Sequence, residues 1–194
     1  MQVGTTELAL LYELLGVLMT SFMLNLIPFA GPSNLLIASN AAILVDSDPF
    51  TLGFLVALGS ATAKFIHYIV TFFIGKHVSK ERREHLDTVG LRFGRWSALV
   101  LFVVAATPLP DEPIIIPLGL LKYNPAKFFS VYFFGKLSIT IIGAYLGQVG
   151  EGFFTSFVSQ EVFIAISIVL TVIFTVVLLK VDLVKLSKRV LKRT

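Results

Sequence analysis

The sequence predicts an all-α integral membrane protein: an inverted repeat of two re-entrant helical hairpins, each followed by a transmembrane helix, plus a C-terminal transmembrane helix. Three observations lead there. The 194 residues are 56% apolar and only 14% charged, against roughly 25% charged in an average soluble chain. Long apolar stretches are interrupted by proline, and the interruptions recur at an offset of 76 residues.

Composition sets the class. A soluble domain with so few charges could not cover its surface, and 18 Phe would all need hiding in one core. Disorder is excluded on the same ground, since it needs low hydrophobicity and high charge. The absence of Cys removes disulfides, thiolate metal sites and Cys nucleophiles. Six of the 16 Lys and Arg fall in Lys76–Arg95, five in Lys185–Thr194 and none before Lys64. Because they flank apolar segments, they read as the positive-inside signature and not as a nucleic-acid-binding face. The sequence thus predicts a multi-pass protein of the cell membrane, with loop 76–95 and the C-terminus cytoplasmic. The N-terminal residues carry neither the basic region nor the small-residue cleavage site of a signal peptide.

The elements follow in order within a single membrane domain, 1–194. Over residues 1–20, Glu7 and Glu13 flank Leu8, Leu10, Leu11, Leu14 and Leu15; this is either an interfacial amphipathic helix or the start of a longer membrane helix. Repeat 1 spans 21–75, with a hairpin over Ser21–Val45 and a span over Phe50–Gly75. A cytoplasmic basic loop covers 76–96. Repeat 2 spans 97–147, with a hairpin over Ser97–Leu121 and a span over Phe128–Gly147. A connector, Gln148–Gln160, has Glu151 but no cation and should lie outside. The C-terminal transmembrane helix covers 159–182, and a basic cytoplasmic tail 183–194.

Ser97–Leu121 is long enough to cross, but its middle reads Thr107-Pro108-Leu109-Pro110-Asp111-Glu112-Pro113. Proline removes backbone donors and clashes with the preceding turn. Irregular backbone at membrane depth survives only where protein or a wet cavity surrounds it. Charge parity then chooses between crossing and returning. If the segment crosses, Arg92 and Lys122 lie on opposite faces and the basic tail is outside; if it dips in and returns, all three basic regions are inside.

Offset by 76 residues, Pro32, Pro49 and Gly59 fall on Pro108, Pro125 and Gly135, and Ala30 and Leu44 on Ala106 and Leu120. The first hairpin therefore has Gly31-Pro32-Ser33-Asn34 at its tip. The hairpins precede spans running in opposite directions, so they enter from opposite faces. Short segments broken by Gly and Pro at matching places in two halves point to a binding site near the midplane. The breakers are Pro28, Gly31 and Pro32 in the first hairpin and Pro108, Pro110 and Pro113 in the second.

Few residues there carry chemistry. Asp111 and Glu112 sit at the second tip. A carboxylate at a helix centre costs about 2.5–3.5 kcal/mol on insertion scales, so such acids are candidates for substrate or proton binding. Lys136 lies within its span, next to Gly135; a salt bridge to Asp111 or a bound anionic headgroup accounts for it better than snorkelling. Lys64 and His67 are three apart and share a helix face, which places His67 as a proton-handling candidate. Ser33 or Asn34 can cap the helix Leu35–Leu44, whose N-terminus could also hold an anion such as phosphate. Nothing resembles a metal site, a nucleotide loop or a hydrolase constellation, so no enzyme and no cofactor is expected.

At the two hairpins the chain resembles the DedA family, also called the VTT or SNARE-associated Golgi protein family, over roughly Ser21–Gly147. The resemblance rests on Pro28-Phe29-Ala30-Gly31-Pro32-Ser33-Asn34, on Pro108-Leu109-Pro110-Asp111-Glu112-Pro113 with Gly119, and on Tyr132-Phe133-Phe134-Gly135-Lys136. The second stretch looks most like the YqaA-type branch. The resemblance implies opposed re-entrant hairpins and lipid translocation: phospholipid scrambling or recycling of polyprenyl-phosphate carriers, dependent in bacteria on a proton or sodium gradient. Better-known bacterial members carry acids around the first hairpin and two arginines in the second. This chain has Asn25 and Ser33-Asn34 in the first, and Ala105 and Asp111 at the arginine positions.

The expected function is therefore a transporter, flippase or scramblase of an anionic lipid, with a proton or sodium ion as coupling ion and membrane lipids as partners. The alternatives are a secondary transporter of small ions or cationic drugs, and a non-transporting membrane scaffold. No nucleic acid is expected as partner, and nothing in the sequence sets an oligomeric state.

Overall fold

The structure is a computed structural model that describes residues 2–28, 32–75, 96–108 and 110–154. Among the described residues the chain is all helical. The helices are α1 (Gln2–Leu26), α2 (Asn34–Leu44), α3 (Pro49–Ile74), α4 (Ser97–Ala105), α5 (Glu112–Leu120) and α6 (Pro125–Phe154). The expected cytoplasmic loop, the C-terminal transmembrane helix over 159–182, the basic tail and Gly31 lie outside the described residues.

Proline and its neighbours set the boundaries. α3 opens with Pro49 in its first turn, where a missing N–H costs nothing, and Asp48 accepts the Thr51 N–H at 3.0 Å. α6 opens the same way: Pro125 is followed by Lys127, whose N–H donates to Asn124 Oδ1 at 3.0 Å. Pro113 likewise lies in the first turn of α5, while Pro108 and Pro110 fall in the gap between α4 and α5. Ser97–Leu121 is therefore not a continuous rod. Its two nine-residue helices are each about 13 Å long, too short to cross a bilayer.

Two boundaries differ from the sequence reading. α1 continues through Ser21 to Leu26, because no proline intervenes before Pro28. Of the two readings open for 1–20, the helix takes the longer form. α6 runs on through Gln148 to Phe154, into the segment assigned to an external connector, since no proline ends it. By length and composition, three stretches could cross a membrane: Glu7–Leu26, Pro49–Ile74 and Pro125–Gly150.

α3 and α6 form an antiparallel central pair. Thr140 Oγ1 donates to the Gly53 carbonyl at 2.8 Å, and Phe54 meets Phe133 edge-on with ring centroids 5.6 Å apart. Further along the pair, Phe65 meets Phe129 at 5.5 Å. α1 runs beside α3 in the same direction, with Ser21 Oγ donating to the Val56 carbonyl at 2.8 Å. α4 lies against α6. The short helices after the breaks pack across the halves, α2 mainly on α6 and α5 on α3.

Glycines make these crossings close. A Cβ on Gly59 would sit 2.6 Å from the Leu18 carbonyl oxygen of α1, and one on Gly135 would sit 2.7 Å from the Ala105 Cβ of α4. One buried cluster gathers Tyr68, Leu101, Ala105, Ile115, Phe128 and Tyr132. A second gathers Ile37, Ala38, Ala41, Leu52, Val56 and Ala144. Outside them, Leu11, Leu15, Met19 and Met23 on α1 and Phe134, Ile142 and Leu146 on α6 are exposed, the pattern of helices that are apolar all round and meet lipid instead of water.

Candidate functional site

The second break places its two acids at the start of α5, Asp111 as the residue before the helix and Glu112 as its first. Negative charge is favoured there by the helix dipole. Both are buried, at 4% exposure each, and so are Lys64 at 5% and Lys136 at 2%. Lys136 Nζ pairs with Asp111 Oδ2 at 2.8 Å, and Lys64 Nζ with Glu112 Oε1 at 2.5 Å. One lysine comes from each long helix, α3 and α6. Two acids and two lysines thus form a buried quartet of zero net formal charge.

Tyr132, one turn before Lys136 on α6, donates its phenolic hydrogen to Asp111 Oδ2. Lys136 Nζ lies 5.4 Å from the centre of the Tyr132 ring, within cation–π range. The other oxygen of Asp111, Oδ1, is buried with no hydrogen-bond partner. Natural proteins leave few such atoms unsatisfied, so this one marks the quartet as a place where a further donor fits.

The first break is closed by neutral groups. Asn25 Nδ2 donates to Asn34 Oδ1 at 2.8 Å, and Asn34 Nδ2 returns a bond to Asn25 Oδ1 at 3.0 Å. The Asn25 amide also donates to the Ser21 carbonyl at 2.9 Å. Ser60 Oγ, from α3, donates to Asn25 Oδ1 at 3.0 Å. Side chains Asn34, Asn25 and Ser60 are thus joined at the first break, and Tyr132 and Asp111 at the second.

The capping expectation needs correction. Ser33 precedes α2 in the cap position, but its side chain makes no cap bond. Its hydroxyl is buried without a partner. Asn34 spends its amide on Asn25 instead, and its own reach to the α2 backbone is lost.

Lys64 and His67 part company although their spacing puts them on one face. Lys64 turns to Glu112 on α5, whereas His67 Nε2 lies 2.9 Å from the Leu26 carbonyl at the end of α1, away from the quartet. His67 Nδ1 is buried and unpartnered. Among the breakers, Pro32, Pro108 and Pro110 are half-buried, while Pro28 and Pro113 are exposed. Among the described residues, no group of three His, Asp or Glu comes together as metal ligands would.

Two features escaped the sequence reading. One is the pair of buried hydroxyls Ser60 and Tyr132, for the first of which a signal exists: Ser60 follows Gly59 as Lys136 follows Gly135 at the same offset of 76. The other is a groove between α1 and α2, about 380 Å³ in volume and lined by Gly16, Val17, Leu24, Pro32, Ile37 and Ala41 among others. It is mostly apolar and borders the first break through Pro32.

A family model of the VTT domain matches residues 27–149, a stretch that holds both tips, the quartet and most of α6. No curated protein and no solved structure matches the chain. With well over half its length matched, and with long apolar helices that suit a membrane, this chain belongs to the VTT-domain family of membrane-associated proteins.

Proposed function

We propose that the protein moves an anionic lipid, a phospholipid or a polyprenyl phosphate, between membrane leaflets as a flippase or scramblase, without enzymatic chemistry. The observation that carries this reading is the buried quartet at a backbone break. Buried ion pairs contribute little stability, because desolvation offsets the attraction. Their presence here suits groups that change partners. In this reading a lysine exchanges its carboxylate for a lipid phosphate when the acid takes up a proton. Phosphate is an ordinary ligand for lysine and for helix N-termini.

Two other features support the reading. The free Ser33 hydroxyl stands at the α2 N-terminus and offers a second donor for the phosphate. The apolar groove between α1 and α2 gives an acyl or prenyl chain a path beside the headgroup.

The reading takes the breaks as tips of re-entrant hairpins that enter from opposite faces as an inverted repeat. In its support, α1 ends beside His67, well short of Ile74 at the end of α3. α5 begins beside Lys64 and ends with Leu120 against Gly75, so it runs with α3 from mid-helix to the end. Because α3 and α6 are antiparallel, the two hairpins face opposite ways. The motifs Pro108–Pro113 and Gly135-Lys136 favour the YqaA-type branch. Cationic loops favour a cell-membrane orientation with 76–95 and the tail cytoplasmic. A proton fits the quartet as coupling ion, and a sodium gradient is the other candidate.

Proteoliposomes containing fluorescent lipid and the full chain test it. Dithionite should quench inner-leaflet label as the protein brings it out, and Lys136→Gln should slow this. Absence of flipping by the wild type for every phospholipid and polyprenyl phosphate tried refutes the reading. Because all four charges are already paired, a non-transporting scaffold is the second reading; under it, exchanging Asp111 and Lys136 for one another restores function, which a transporter would not tolerate. The unpartnered Asp111 Oδ1 also suits a carrier of small or drug-like cations, in which cation flux depends on Asp111 while lipid distribution stays unchanged.

A further inference from the structure

α5 ends in a turn that ordinarily belongs to glycine. Leu121 caps the helix; the Lys122 N–H then donates to the Gly119 carbonyl at 2.9 Å and the Tyr123 N–H to the Leu118 carbonyl at 3.0 Å. These two bonds close a Schellman motif, in which the residue after the cap takes a left-handed backbone and is usually glycine. Here that residue is Lys122, at φ 54°. Among the described residues it is the only non-glycine at positive φ, and no glycine is found there. A Cβ is disfavoured in this conformation, so glycine would make the same turn with less strain. An outlier of this kind points to a role for the side chain that causes it.

The turn is tied down on both sides. Tyr68 on α3 donates its phenolic hydrogen to the Tyr123 carbonyl, and Tyr123 packs on the buried cluster that includes Leu118. Lys122 and Lys127 are exposed, and among the described residues neither pairs with an acid. Leu120 lies against Gly75, so the turn stands at the end of α3. α4 meets α6 through Ala105 at Gly135, and its Leu101 shares a cluster with Phe128, which puts Trp96 toward the same end. Trp96 is 59% exposed. Of the described residues at this end, none is Asp or Glu. Exposed lysines near an exposed tryptophan are the residues that sit among headgroups at a membrane surface.

We infer that the strained turn presents Lys122 as a fixed cation to the phosphate of an anionic lipid headgroup, and that Lys127 and Trp96 complete a docking point on the leaflet at the end of α5. Charge selects the occupant: two unpaired cations and no described acid favour lipids of net negative charge over zwitterionic ones. A turn already ordered also avoids the entropy of ordering backbone on binding. The site is separate from the buried quartet, since Asp111 and Glu112 lie at the other end of α5, about 13 Å away along the helix. The docking point therefore stands whether or not the protein moves lipid.

Full-length protein in neutral detergent can be melted while phosphatidylglycerol is titrated into the micelles, with phosphatidylcholine as control. Phosphatidylglycerol should raise the melting temperature by mass action, and phosphatidylcholine should not. Without added lipid, Lys122→Gly should melt with the parent or up to about 2 °C above it, because the strain is gone. It should nevertheless need about fivefold more phosphatidylglycerol for half of the shift, the share of one lysine near an anionic surface. Lys122→Gln keeps the strained backbone and loses the charge, so it should weaken binding equally; it decides the matter should Lys122→Gly not fold. Lys122→Arg should bind as the parent does. Raising the salt should erode the lysine's share, since an exposed charge is screened far more than a buried one. If Lys122→Gly and Lys122→Gln bind as tightly as the parent, the lysine is only a helix end and the docking point falls. Equal shifts from both lipids overturn it as well. Selective binding by a chain that flips no lipid keeps the docking point and sinks only the lipid-moving reading.

Discussion

At the first break the buried polar groups are the carboxamides of Asn25 and Asn34 and the hydroxyls of Ser33 and Ser60, all neutral; at the second they are two acids, two lysines and a tyrosine. Both sites lie between helices of similar packing, each opposed by a long helix that begins with a capped proline, Pro49 or Pro125. The backbone problem is the same, since each break frees amides and carbonyls that need shelter. The side chains solve it at very different electrostatic cost. A mutual amide pair loses little on burial because every bond is neutral, while four buried charges are tolerable only as pairs. The difference teaches where the molecule keeps its charge: among the described residues all of the buried ionic groups gather at the second break, and the first is closed by neutral hydrogen bonds.

The largest effect should come from stranding a charge. Lys136→Met alone leaves Asp111 buried with no cation, and Asp111→Leu alone does the same to Lys136. Each should lower unfolding stability by about 3–5 kcal/mol, the loss typical of half-removed buried pairs. The double variant Asp111→Leu/Lys136→Met should return to wild-type stability or above, because the desolvation cost vanishes with both partners. Thermal unfolding in detergent, followed by far-ultraviolet circular dichroism, checks this. A double variant as unstable as the singles would show that the pair is not what holds the break.

The neutral site should respond more mildly. Asn25→Ala strands Asn34 and removes the acceptor of Ser60, and should cost about 1–3 kcal/mol, the penalty of unsatisfied but uncharged groups. A loss as large as that of Lys136→Met would end the contrast between the breaks.

A third comparison sets the two halves side by side. Gly59→Ala places a methyl against the Leu18 carbonyl, and Gly135→Ala places one against the Ala105 methyl and the Phe102 carbonyl, all within 2.8 Å. Overpacking of this kind costs about 1–3 kcal/mol, and the two variants should fall together. A neutral Gly135→Ala beside a damaging Gly59→Ala would mean that the matching glycines do different work.

How far the sequence carried depends on the kind of signal. Helix breaks were legible because proline at 32, 108 and 110 leaves no alternative backbone. The pairing partner of Lys136 was legible too, since a buried lysine near a buried acid has few other solutions. The second ion pair was not: Lys64 shares its helical spacing with His67, and spacing along one helix says nothing about which helix lies opposite. The boundary at Ser21 failed for a similar reason. An apolar run with no breaker gives no place to stop, so α1 simply continues. The Ser60–Asn25 and Tyr132–Asp111 bonds join residues 35 and 21 apart in sequence, and only the packing of the helices brings them into reach.

The smallest expected effect on stability is also the sharpest test of the first break. Ser33 is buried but its hydroxyl bonds nothing, so Ser33→Ala removes no interaction and should leave stability within about 0.5 kcal/mol of wild type, like a substitution away from any specific feature. A hydroxyl kept buried and idle at a helix N-terminus makes sense if a phosphate meets it during transport, together with the α2 amides. Ser33→Ala should then slow lipid flipping in proteoliposomes while the melting curve stays in place. Ser33→Thr, which keeps the donor, should retain flipping. If Ser33→Ala flips lipid at the parent rate, the phosphate does not pass the first break, and binding belongs to the lysines of the second alone.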